Sequence, residues 1–539
     1  MGTSRENVVS IESSVDLEWW RHAVIYQIYV KSFSDSNGDG VGDIAGMTTH
    51  VGDIAALGAD AVWVCPWFES PMRDGGYDIT DHRRIDPLFG DLEAADAFIE
   101  ECHRHGLRVL LDFVGNHVSR DHPWFRAALD SEPGSAARRR FYFAPGRGES
   151  GELPPTDWPS IFGGSAWTRE SPSGEWYLHV FDSSQPDLNW RDPEVREYVR
   201  ATFRWWYNRG VDGFRLDALP GMGKSGELVD AGLTTDRYVP ETSPDVPFWD
   251  GDLVHEVLEE WRSIARSYSP ERFLVGEVVV NSPERERRYT RPNELPSLLA
   301  ITLAKAEFRA ESLARAVDTV VESTSPGAFS TWTVSSHDER RPVSRYAEGD
   351  LERGRQRSRA VHLLALALPG AVCLYQGDEL GLENVDDLPV ELLQDPIYQR
   401  TGDPSQVRDG CRVPLPWTAG PAFGFSSGTP WLPQPLAWKE LRRDHQSGDP
   451  DSTWSFFRRA VSARRFLVPA VDECRVSIPR PGVLELARGE EFLCWVNCSP
   501  DAVAFPDGWE VVMASESLDD HLTPNAAAWL SRTAPPRTP

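Results

Sequence analysis

The chain has 539 residues, and 55 Lys and Arg side chains against 83 Asp and Glu side chains give a formal net charge of −28 at pH 7. Such an acidic chain is not expected to bind nucleic acid or an anionic membrane surface. Residues 1–20 contain no apolar signal-peptide core, and no run of ~18 apolar residues follows, which predicts a cytoplasmic protein without membrane spans.

Taken in chain order, short apolar runs with strand character alternate with amphipathic helical stretches. AVIYQIYV and DAVWVCPW come first, the helical stretch LEAADAFIEECHRHG precedes LRVLLDFVGNH, and PEVREYVRATFRWWYNRG precedes VDGFRLDA. RFLVGEVVV, STWTVSSH and AVCLYQG follow. This alternation predicts an α/β fold with a parallel sheet, and the number of units favours a (β/α)8 TIM barrel over an open sheet.

Two stretches depart from this alternation and predict further domains. A long segment rich in Pro, Gly, Ser and Trp follows LRVLLDFVGNH, which predicts a subdomain inserted after the third strand, at the barrel mouth. After the helix STWSFFRRAVSARRFL, the runs VLELARGEEFLCWVNCS and WEVVMAS predict a C-terminal all-β domain. The predicted boundaries are an N-terminal extension over 1–15, the barrel over 16–117 and 188–468, inserted subdomain B over 118–187, the C-terminal β domain over 469–530 and a disordered tail over 531–539.

The segment GVDGFRLDALP places two charges inside an apolar strand. Period-two alternation puts Arg215 and Asp217 on the same strand face. A structural ion pair is one explanation. However, Asp217, Glu277 in FLVGEVV and Asp338 in VSSHDERR all come late in candidate strands, where a barrel forms its active face. Two carboxyls about 5 Å apart on either side of an anomeric carbon would suffice for retaining glycoside hydrolysis.

Several segments resemble one enzyme family. DFVGNH, GFRLDAL, GEVV and SSHD resemble, in order and spacing, the four short conserved regions of the α-amylase family of glycoside hydrolases. DAVWVCPWFESP and GGYDITDHRRIDPLFG resemble further family segments. QPDLNWRDPEV, YQGDELGLENVDDLP and RDGCRVPLPW are similar to the α-glucosidase and oligo-1,6-glucosidase branch in particular.

The resemblance implies roles for the three acidic residues. Asp217 would be the nucleophile, Glu277 the general acid and base, and Asp338 the carboxylate that holds the ring hydroxyls of the sugar in the transition state. Arg215 is expected to keep Asp217 ionised and oriented. The apolar neighbours of Glu277 are expected to desolvate its carboxyl and hold it protonated until it donates to the leaving oxygen.

The remaining polar positions fit a pocket for one terminal glucose. The resemblance implies that Asp78 and Arg341 close the blind end of this pocket, which favours exo-action. It also implies that Phe181 lies near the scissile sugar, although a core position explains this aromatic side chain equally well. The other expected pocket residues are Tyr77 as a stacking platform, His117, Gln185 and His337, and either histidine alone also fits a structural role.

The stretch SDSNGDGVGDIAG spaces oxygen ligands like a calcium loop, with Gly40 at the sharp turn. Gly46 stands where an EF-hand has its closing Glu, so an EF-hand is excluded. The resemblance implies instead a single-loop structural Ca²⁺ site, and an Asp/Asn/Gly turn without metal is the alternative. No organic cofactor is expected. The candidate ligands are Asp35, Asn37, Asp39, the carbonyl of Val41, and Asp43.

Two positions depart from the family pattern. Ser336 stands where members commonly carry Asn before the His-Asp pair. Ala218 follows the expected nucleophile where α-1,6-specific relatives have Val, and the smaller side chain leaves room for an α-1,4-linked aglycone. The Ala-x-Pro sequence ending at Pro220 resembles α-1,4-glucosidases and trehalose synthases.

These observations predict a retaining exo-α-glucosidase that acts on maltose or short maltooligosaccharides. A trehalose synthase-like or sucrose isomerase-like enzyme would use the same covalent intermediate, and an α-1,6-glucosidase, an endo-acting amylase and a non-catalytic barrel are further alternatives. The expected partner is a small oligosaccharide, and the protein is expected to be a monomer or homodimer.

Overall fold

The computed structural model describes residues 18–170 and 173–532. The extension predicted over 1–15 and residues 533–539 of the predicted tail lie outside these residues. Eight parallel strands form a closed barrel in the order β1-β8-β7-β6-β5-β4-β3-β2, which confirms the predicted (β/α)8 architecture. The strands are β1 (Val24–Ile28), β2 (Ala61–Val64), β3 (Arg108–Val114), β4 (Gly213–Asp217), β5 (Phe273–Gly276), β6 (Ser297–Ala300), β7 (Phe329–Thr333) and β8 (Ala371–Tyr375).

The barrel strands are buried on both faces, as their nearly continuous apolar sequences require. Side chains that point inward, including Trp63 and Leu110, pack in the barrel interior. At the amino-terminal end of the barrel Trp20 stacks on Phe273, with ring centroids 5.3 Å apart. This end of the barrel is therefore closed by apolar side chains, and the charged side chains lie at the carboxyl-terminal end.

Helices connect successive barrel strands and pack on the outside. Asp91, Asp192 and Asp350 accept N–H groups at the starts of three long helices, which fixes where those helices begin. The helices between or after strands are Ile44–Thr49, Val51–Leu57, Leu92–Arg104, Pro193–Tyr207, Leu253–Arg266, Pro283–Arg287, Thr302–Lys305, Ala310–Ser323, Pro342–Arg345, Leu351–Ala367, Pro396–Thr401, Arg443–Ser447 and Thr453–Leu467.

The segment between β3 and the helix Pro193–Tyr207 carries its own small structure at the mouth of the barrel. Its short strands form a three-stranded antiparallel sheet. Trp158 of this segment donates its indole N–H to the carbonyl of Val229, 2.8 Å away in the long loop after β4. The segment contains the helices Pro123–Leu129 and Ala136–Arg139 and the strands Phe143–Pro145, Trp167–Arg169 and Glu175–Leu178.

A five-stranded antiparallel sheet follows the barrel and confirms the predicted C-terminal all-β domain. Trp529 on its last strand donates its indole N–H to the carbonyl of Leu363 on a barrel helix, at 3.0 Å. Across the described residues, no helix is long and apolar enough to cross a membrane. In order across the sheet, the strands are Arg475–Arg480, Val483–Arg488, Phe492–Asn497, Ala527–Ser531 and Glu510–Ala514.

Candidate active site

The carboxyl-terminal ends of the barrel strands gather the acidic residues singled out by the sequence. Asp217 is the last residue of β4, Glu277 comes directly after β5, and Asp338 lies in the loop after β7. Asp112 on β3 stands opposite Arg215 on β4 in the strand register, so that a second carboxylate faces the same guanidinium.

Arg215 contacts three carboxyl groups of this cluster. Its Nη1 lies 2.6 Å from Asp217 Oδ1 and 2.8 Å from Asp112 Oδ1, and its Nη2 lies 2.8 Å from Glu277 Oε2. Only 2% of the Arg215 side chain is exposed. The guanidinium therefore positions both predicted catalytic carboxyls, and a buried aspartate that the sequence did not reveal shares it.

Three carboxyls share this one positive charge. Burial raises the pKa of Asp217 well above its usual range, with Arg215 acting in the opposite direction and Glu277 raising it further. Burial also raises the pKa of Asp112. Arg215 therefore acts on Asp217 in the direction that the sequence predicted, and its guanidinium is divided among three buried or partly buried acids.

Glu277 is the most exposed acid of the cluster. About a quarter of its side chain, 23%, is exposed, against 12% for Asp217. Leu274 packs outside the barrel and Val275 packs in its interior, whereas Val279 lines the same cavity as Glu277. The expectation that the apolar neighbours desolvate the Glu277 carboxyl stays a prediction.

Asp338 has a different electrostatic environment. Its Oδ1 accepts hydrogen bonds from Arg412 Nη2 at 2.8 Å and from Arg408 Nη1 at 3.0 Å, and His337 Nε2 lies 3.2 Å from its Oδ2. Although burial acts to raise it, His337 and the two guanidiniums hold the pKa of Asp338 below its usual range. Asp338 is therefore ionised, which suits a carboxylate that accepts sugar hydroxyl groups.

Arg408 cross-links three segments of the mouth. Besides Asp338, it contacts Asp74 Oδ1 at 3.0 Å and Asp395 Oδ2 at 2.7 Å. The sequence analysis treats the RDGCR segment only as a family signature and does not predict this role. The available signal was the pair of arginines four residues apart, Arg408 and Arg412, directly before the apolar run VPLPW.

Tyr77 and His337 form the floor beneath the acids. Their rings stack with centroids 5.3 Å apart, and the Tyr77 hydroxyl lies 2.7 Å from His337 Nε2 and donates to Asp112 Oδ2 at 2.8 Å. Burial lowers the pKa of His337 to about 3, so the ring is neutral. Gln27 Nε2 lies 2.8 Å from Nδ1 of the same ring. The floor is thus a neutral network bonded to the acidic cluster.

A second polar group connects the inserted segment to the site. Gln185 Nε2 donates to Asp74 Oδ2 at 3.0 Å and lies 3.0 Å from His117 Nε2. The ring of Phe181 lies 5.1 Å from that of His117, centroid to centroid. The structure therefore brings Gln185, His117 and Phe181 together beside Tyr77, as the sequence expectation required.

Asp78 and Arg341 are placed outside the cleft, contrary to the expected blind-end pair. Asp78 is fully buried and accepts hydrogen bonds from Ser70 Oγ and from the backbone of the 70s loop. Arg341 is fully buried as well and donates to the carbonyls of Gln376 and Cys411. Asp74, four residues before Asp78, forms an ion pair with Arg408, which also contacts Asp338.

Residues 27–469 match the family model described as Alpha amylase, catalytic domain. The chain belongs to the α-amylase family. It is 38% identical over 506 residues to the probable alpha-glucosidase of Rhizobium meliloti (strain 1021), with 90% of each chain covered. It is 32% identical to the oligo-1,6-glucosidase of Parageobacillus thermoglucosidasius, with 83% of this chain and 84% of the relative covered.

Solved structures agree with this assignment. The alpha-glucosyl transfer enzyme XgtA superposes with a TM-score of 0.86 at 34% identity, over 95% of this chain and 99% of that one. The relatives carry the names of glycoside hydrolases and glucosyl-transferring enzymes. This α-amylase family member is accordingly an enzyme of the glycoside hydrolase class.

The two positions that depart from the family pattern both contact the acidic residues. Ala218 adopts φ 42° and ψ 43°, a left-handed conformation uncommon for a residue with a side chain, and its N–H donates to Glu277 Oε2 at 3.2 Å. Ser336 Oγ accepts the backbone N–H of Asp338 at 3.2 Å. The backbone of Ala218 and the side chain of Ser336 therefore contact the acidic part of the site directly.

The candidate calcium loop is closed by its own hydrogen bonds. Asp35 accepts the N–H groups of residues 37, 38 and 40 and the Ser426 hydroxyl. Asp43 accepts from Ser36 and from the N–H of Gly46, at the start of a helix. No group of three His, Cys, Asp or Glu side chains within 18–170 and 173–532 is arranged to hold a metal ion. The predicted ligands also include Asn37 and the carbonyl of Val41, and the calcium site stays a prediction.

Two cavities open from the acids. One, of about 490 Å³, begins at Asp338 and Arg408 and has mixed polar walls. The other, of about 220 Å³, begins at Ala218 and Glu277. Arg237 beside the smaller cavity donates to Gln406 Oε1 beside the larger one, at 3.3 Å, and so bridges the walls between them.

Proposed function

We propose that this enzyme is a retaining exo-α-glucosidase that removes terminal α-1,4-linked glucose from maltose or short maltooligosaccharides. The observation that carries the proposal is the pair of ion contacts from Arg215 to Asp217 and Glu277. Neighbouring nitrogens of one guanidinium bind both carboxyls, and the residue after Asp217 also donates to Glu277. This closeness favours the separation of about 5–5.5 Å found in retaining enzymes over the ~6.5–9.5 Å of inverting ones.

The contact of one guanidinium with both Asp217 and Glu277 supports a nucleophile and an acid at the same site. In the proposed first step Glu277 gives a proton to the glycosidic oxygen, while the Asp217 carboxylate attacks the anomeric carbon and the bond to the leaving alcohol breaks. In the second step Glu277 removes a proton from water, which attacks the anomeric carbon and releases Asp217. Arg215 contacts both residues throughout.

Exo-action is supported by the cross-links at one end of the site. Arg408 joins the loops that carry Asp74, Asp338 and Asp395, which narrows the space beyond a terminal glucose. Asp338, kept ionised by Arg408 and Arg412, is proposed to accept hydroxyl groups of that glucose. Tyr77 and His117 are proposed to line the same subsite.

The α-1,4 preference rests on Ala218, which borders both Asp217 and the smaller cavity. Glucosyl transfer is the second candidate function. It is favoured by the likeness to XgtA, an alpha-glucosyl transfer enzyme. Both candidates use the same covalent intermediate and differ only in whether water or an alcohol reaches it.

The test is a product analysis with maltose, isomaltose, trehalose and sucrose, followed by proton NMR at early and late times. We expect release of α-glucose from maltose first, with isomaltose, trehalose and sucrose slower, and no release from any of them by Asp217→Asn. Maltose converted to trehalose or to longer saccharides with little free glucose would overturn hydrolysis in favour of transfer. Initial release of β-glucose would overturn the retaining mechanism.

A further inference from the structure

Gln27 on β1 contacts the side of the His337 ring that faces away from the acids. Its Nε2 lies 2.8 Å from His337 Nδ1, and both side chains are buried. Across the described part of the chain, Nδ1 has no other hydrogen-bond partner. A neutral histidine carries its proton on one ring nitrogen, and the hydrogen bond made at the other nitrogen decides which one. The Gln27 contact therefore bears on where the His337 proton lies.

The opposite nitrogen, His337 Nε2, faces two oxygen atoms that have no hydrogen to give. One is the Tyr77 hydroxyl oxygen, 2.7 Å away, whose hydrogen is donated to Asp112 Oδ2 at 2.8 Å. The other is Asp338 Oδ2 at 3.2 Å, on a carboxylate that is ionised. Two acceptors at Nε2 require that this nitrogen carry the proton of the neutral ring. Nδ1 is then a bare acceptor in a buried place and needs a donor.

The Gln27 amide supplies that donor. Its N–H group stabilises the bare Nδ1, whereas the amide oxygen in the same place would meet a lone pair. A second contact of the amide nitrogen is with Cys65 Sγ at 3.4 Å. Gln27 Oε1 is buried without a hydrogen-bond partner within the described residues, and an unsatisfied buried oxygen lowers stability. Stability of the core therefore does not explain an amide at this position.

We propose that Gln27 is a positioning residue that keeps the proton of His337 on Nε2. In this tautomer the ring donates towards Tyr77 and Asp338 and orients the carboxylate that is proposed to accept hydroxyl groups of the terminal glucose. The other tautomer would place a lone pair against both oxygen atoms and push them away from the ring. The inference rests on the proposed function and adds a residue that supports the same site from the barrel interior.

The test compares two variants of Gln27. Methionine has a similar volume and no donor, so Gln27→Met should lower kcat/KM for maltose by roughly 10–100-fold at every pH, with a Tm close to that of the wild type. Gln27→Glu adds a carboxyl that shares one further proton with the ring. While that proton is bound between the carboxyl and Nδ1, Nε2 keeps its hydrogen. When the proton is lost, the carboxylate accepts the remaining ring proton at Nδ1 and Nε2 becomes bare.

The pH profiles of the two variants should therefore converge. At about pH 5.5 Gln27→Glu should exceed Gln27→Met in kcat/KM by roughly tenfold, and at about pH 8.5 it should be no better. A cavity or a loosened core would lower both values alike and would not make their ratio depend on pH. A ratio that stays constant from pH 5.5 to 8.5 would overturn the proposal.

The surroundings of the two side chains do not titrate in this range. Burial raises the pKa values of the neighbouring hydroxyl and thiol groups. Although burial acts to raise it, His337 and nearby guanidiniums hold the pKa of Asp338 below its usual range, and Arg215 and Arg408 act on the ring from further away. The titratable and charged groups in contact with Gln27 or His337 are Tyr29, Cys65, Tyr77, Asp338, Cys411 and Arg412.

Gln376→Glu is the matched control. Gln376 is a second buried glutamine, whose backbone N–H donates to the carbonyl of Gln27. Its Oε1 accepts the N–H of Tyr29 at 2.7 Å, and the structure shows no hydrogen bond from its side chain to His337. This variant also adds a buried carboxyl but should keep the wild-type shape of the pH profile. The same alkaline loss in Gln376→Glu as in Gln27→Glu would overturn the proposal.

Histidine-selective ¹⁵N NMR reads the tautomer without substrate, with the His337 signals assigned by their absence in His337→Asn. We expect the proton on Nε2 in the wild type and on Nδ1 in Gln27→Glu at about pH 8.5. A wild-type ring protonated on Nδ1 would overturn this inference even in an active enzyme. If the tautomers are as expected but the wild type releases no glucose or transfer product from any α-glucoside, the proposed function is wrong and the role of Gln27 towards His337 is supported.

Discussion

Arg215 Nη1 lies 2.6 Å from Asp217 Oδ1, two residues further along the same face of β4. The alternation of a single strand thus delivers the nucleophile to the guanidinium that also binds Glu277. A strand residue and its second neighbour always share a face, so this part of the site is encoded locally. Asp112 and Glu277 join it only because the barrel closes around them.

We expect Arg215→Lys to reduce kcat/KM for maltose by roughly 10²–10³-fold. An ammonium group is a single point and does not bind two carboxyls in the fork geometry of a guanidinium. Steady-state kinetics measure the loss, and circular dichroism with a thermal melt serves as the folding control. A folded variant with kcat/KM within threefold of wild type would contradict the role given to Arg215.

Arg341 and Arg408 should give opposite kinds of defect. Arg341→Met leaves the buried carbonyl of Gln376 without its donor, at roughly 1–3 kcal/mol, and removes one of two donors to the Cys411 carbonyl. The Tm should therefore fall while the KM for maltose changes little. Arg408→Met removes contacts to Asp338 and Asp74 and should raise KM at least about tenfold. A large rise in KM for Arg341→Met in a protein of unchanged Tm would restore the blind-end role first expected for it.

Ala218→Val tests the control of linkage. The larger side chain narrows the space beside Glu277, so we expect the ratio of kcat/KM for isomaltose to that for maltose to rise roughly tenfold. A β-branched residue at positive φ costs about 1–3 kcal/mol, so the Tm should fall as well. Ala218→Gly accepts this φ without strain and should keep the maltose preference. An unchanged ratio in Ala218→Val would remove the basis for α-1,4 specificity.

Buried histidines should make the protein sensitive to acid. Burial lowers the pKa of His82 and His179 to about 4 and of His117, His122 and His337 to about 3. Folded-state pKa values below the unfolded value of about 6.5 give stability that is complete above pH 6.5 and is lost progressively as the pH falls towards 3.

Buried carboxyls oppose this trend. Burial raises the pKa of Asp78 to about 6 and of Glu286 and Glu379 to about 7, so their contribution is present near pH 4 and is lost as the pH rises through 6–7. The contribution of one histidine is measured by comparison with His122→Asn, which keeps an N-cap side chain and removes one titrating group. Between pH 4.5 and 6.5 the Tm of the wild type should rise relative to that of the variant. A difference in Tm between the two proteins that stays constant over this range would contradict the contribution of the buried histidine.

Calcium remains a prediction of the sequence motif. If Ca²⁺ binds the loop at Asp35 and Asp43, millimolar CaCl₂ should raise the Tm of chelator-treated protein by mass action, and Asp39→Ala should abolish the rise. A Tm that is the same with CaCl₂ and with chelator would show that the loop does not bind Ca²⁺ and that its own N–H groups satisfy Asp35.

The sequence predicted the barrel because seven of its eight strands are compact apolar runs. The strand β6, Ser297–Ala300, was not predicted, because a serine and three apolar residues beside a helical stretch carry no clear period. The positions of Asp217, Glu277 and Asp338 at the mouth could be predicted, because each follows or ends an apolar strand in the sequence. The number of carboxyls around Arg215 could not be predicted, since it depends on Asp112 from another strand.

The end of the pocket was misassigned for a related reason. Asp78 and Arg341 carry the expected charges, but both side chains turn into the core, and no local pattern distinguishes Asp78 from Asp74 four residues earlier. Arg408 reaches Asp74 across more than 300 residues of sequence, at 3.0 Å. Such a contact is decided by the path of long loops, and propensity and periodicity do not determine that path.

The most direct test of the account is to trap the intermediate on Asp217. The enzyme is incubated with 5-fluoro-α-D-glucopyranosyl fluoride, digested, and examined by peptide mass spectrometry. The account predicts a 5-fluoroglucosyl adduct on the peptide containing Asp217, and none in Asp217→Asn. An adduct on another residue, or steady release of glucose from maltose by an enzyme that never forms an adduct, would contradict it.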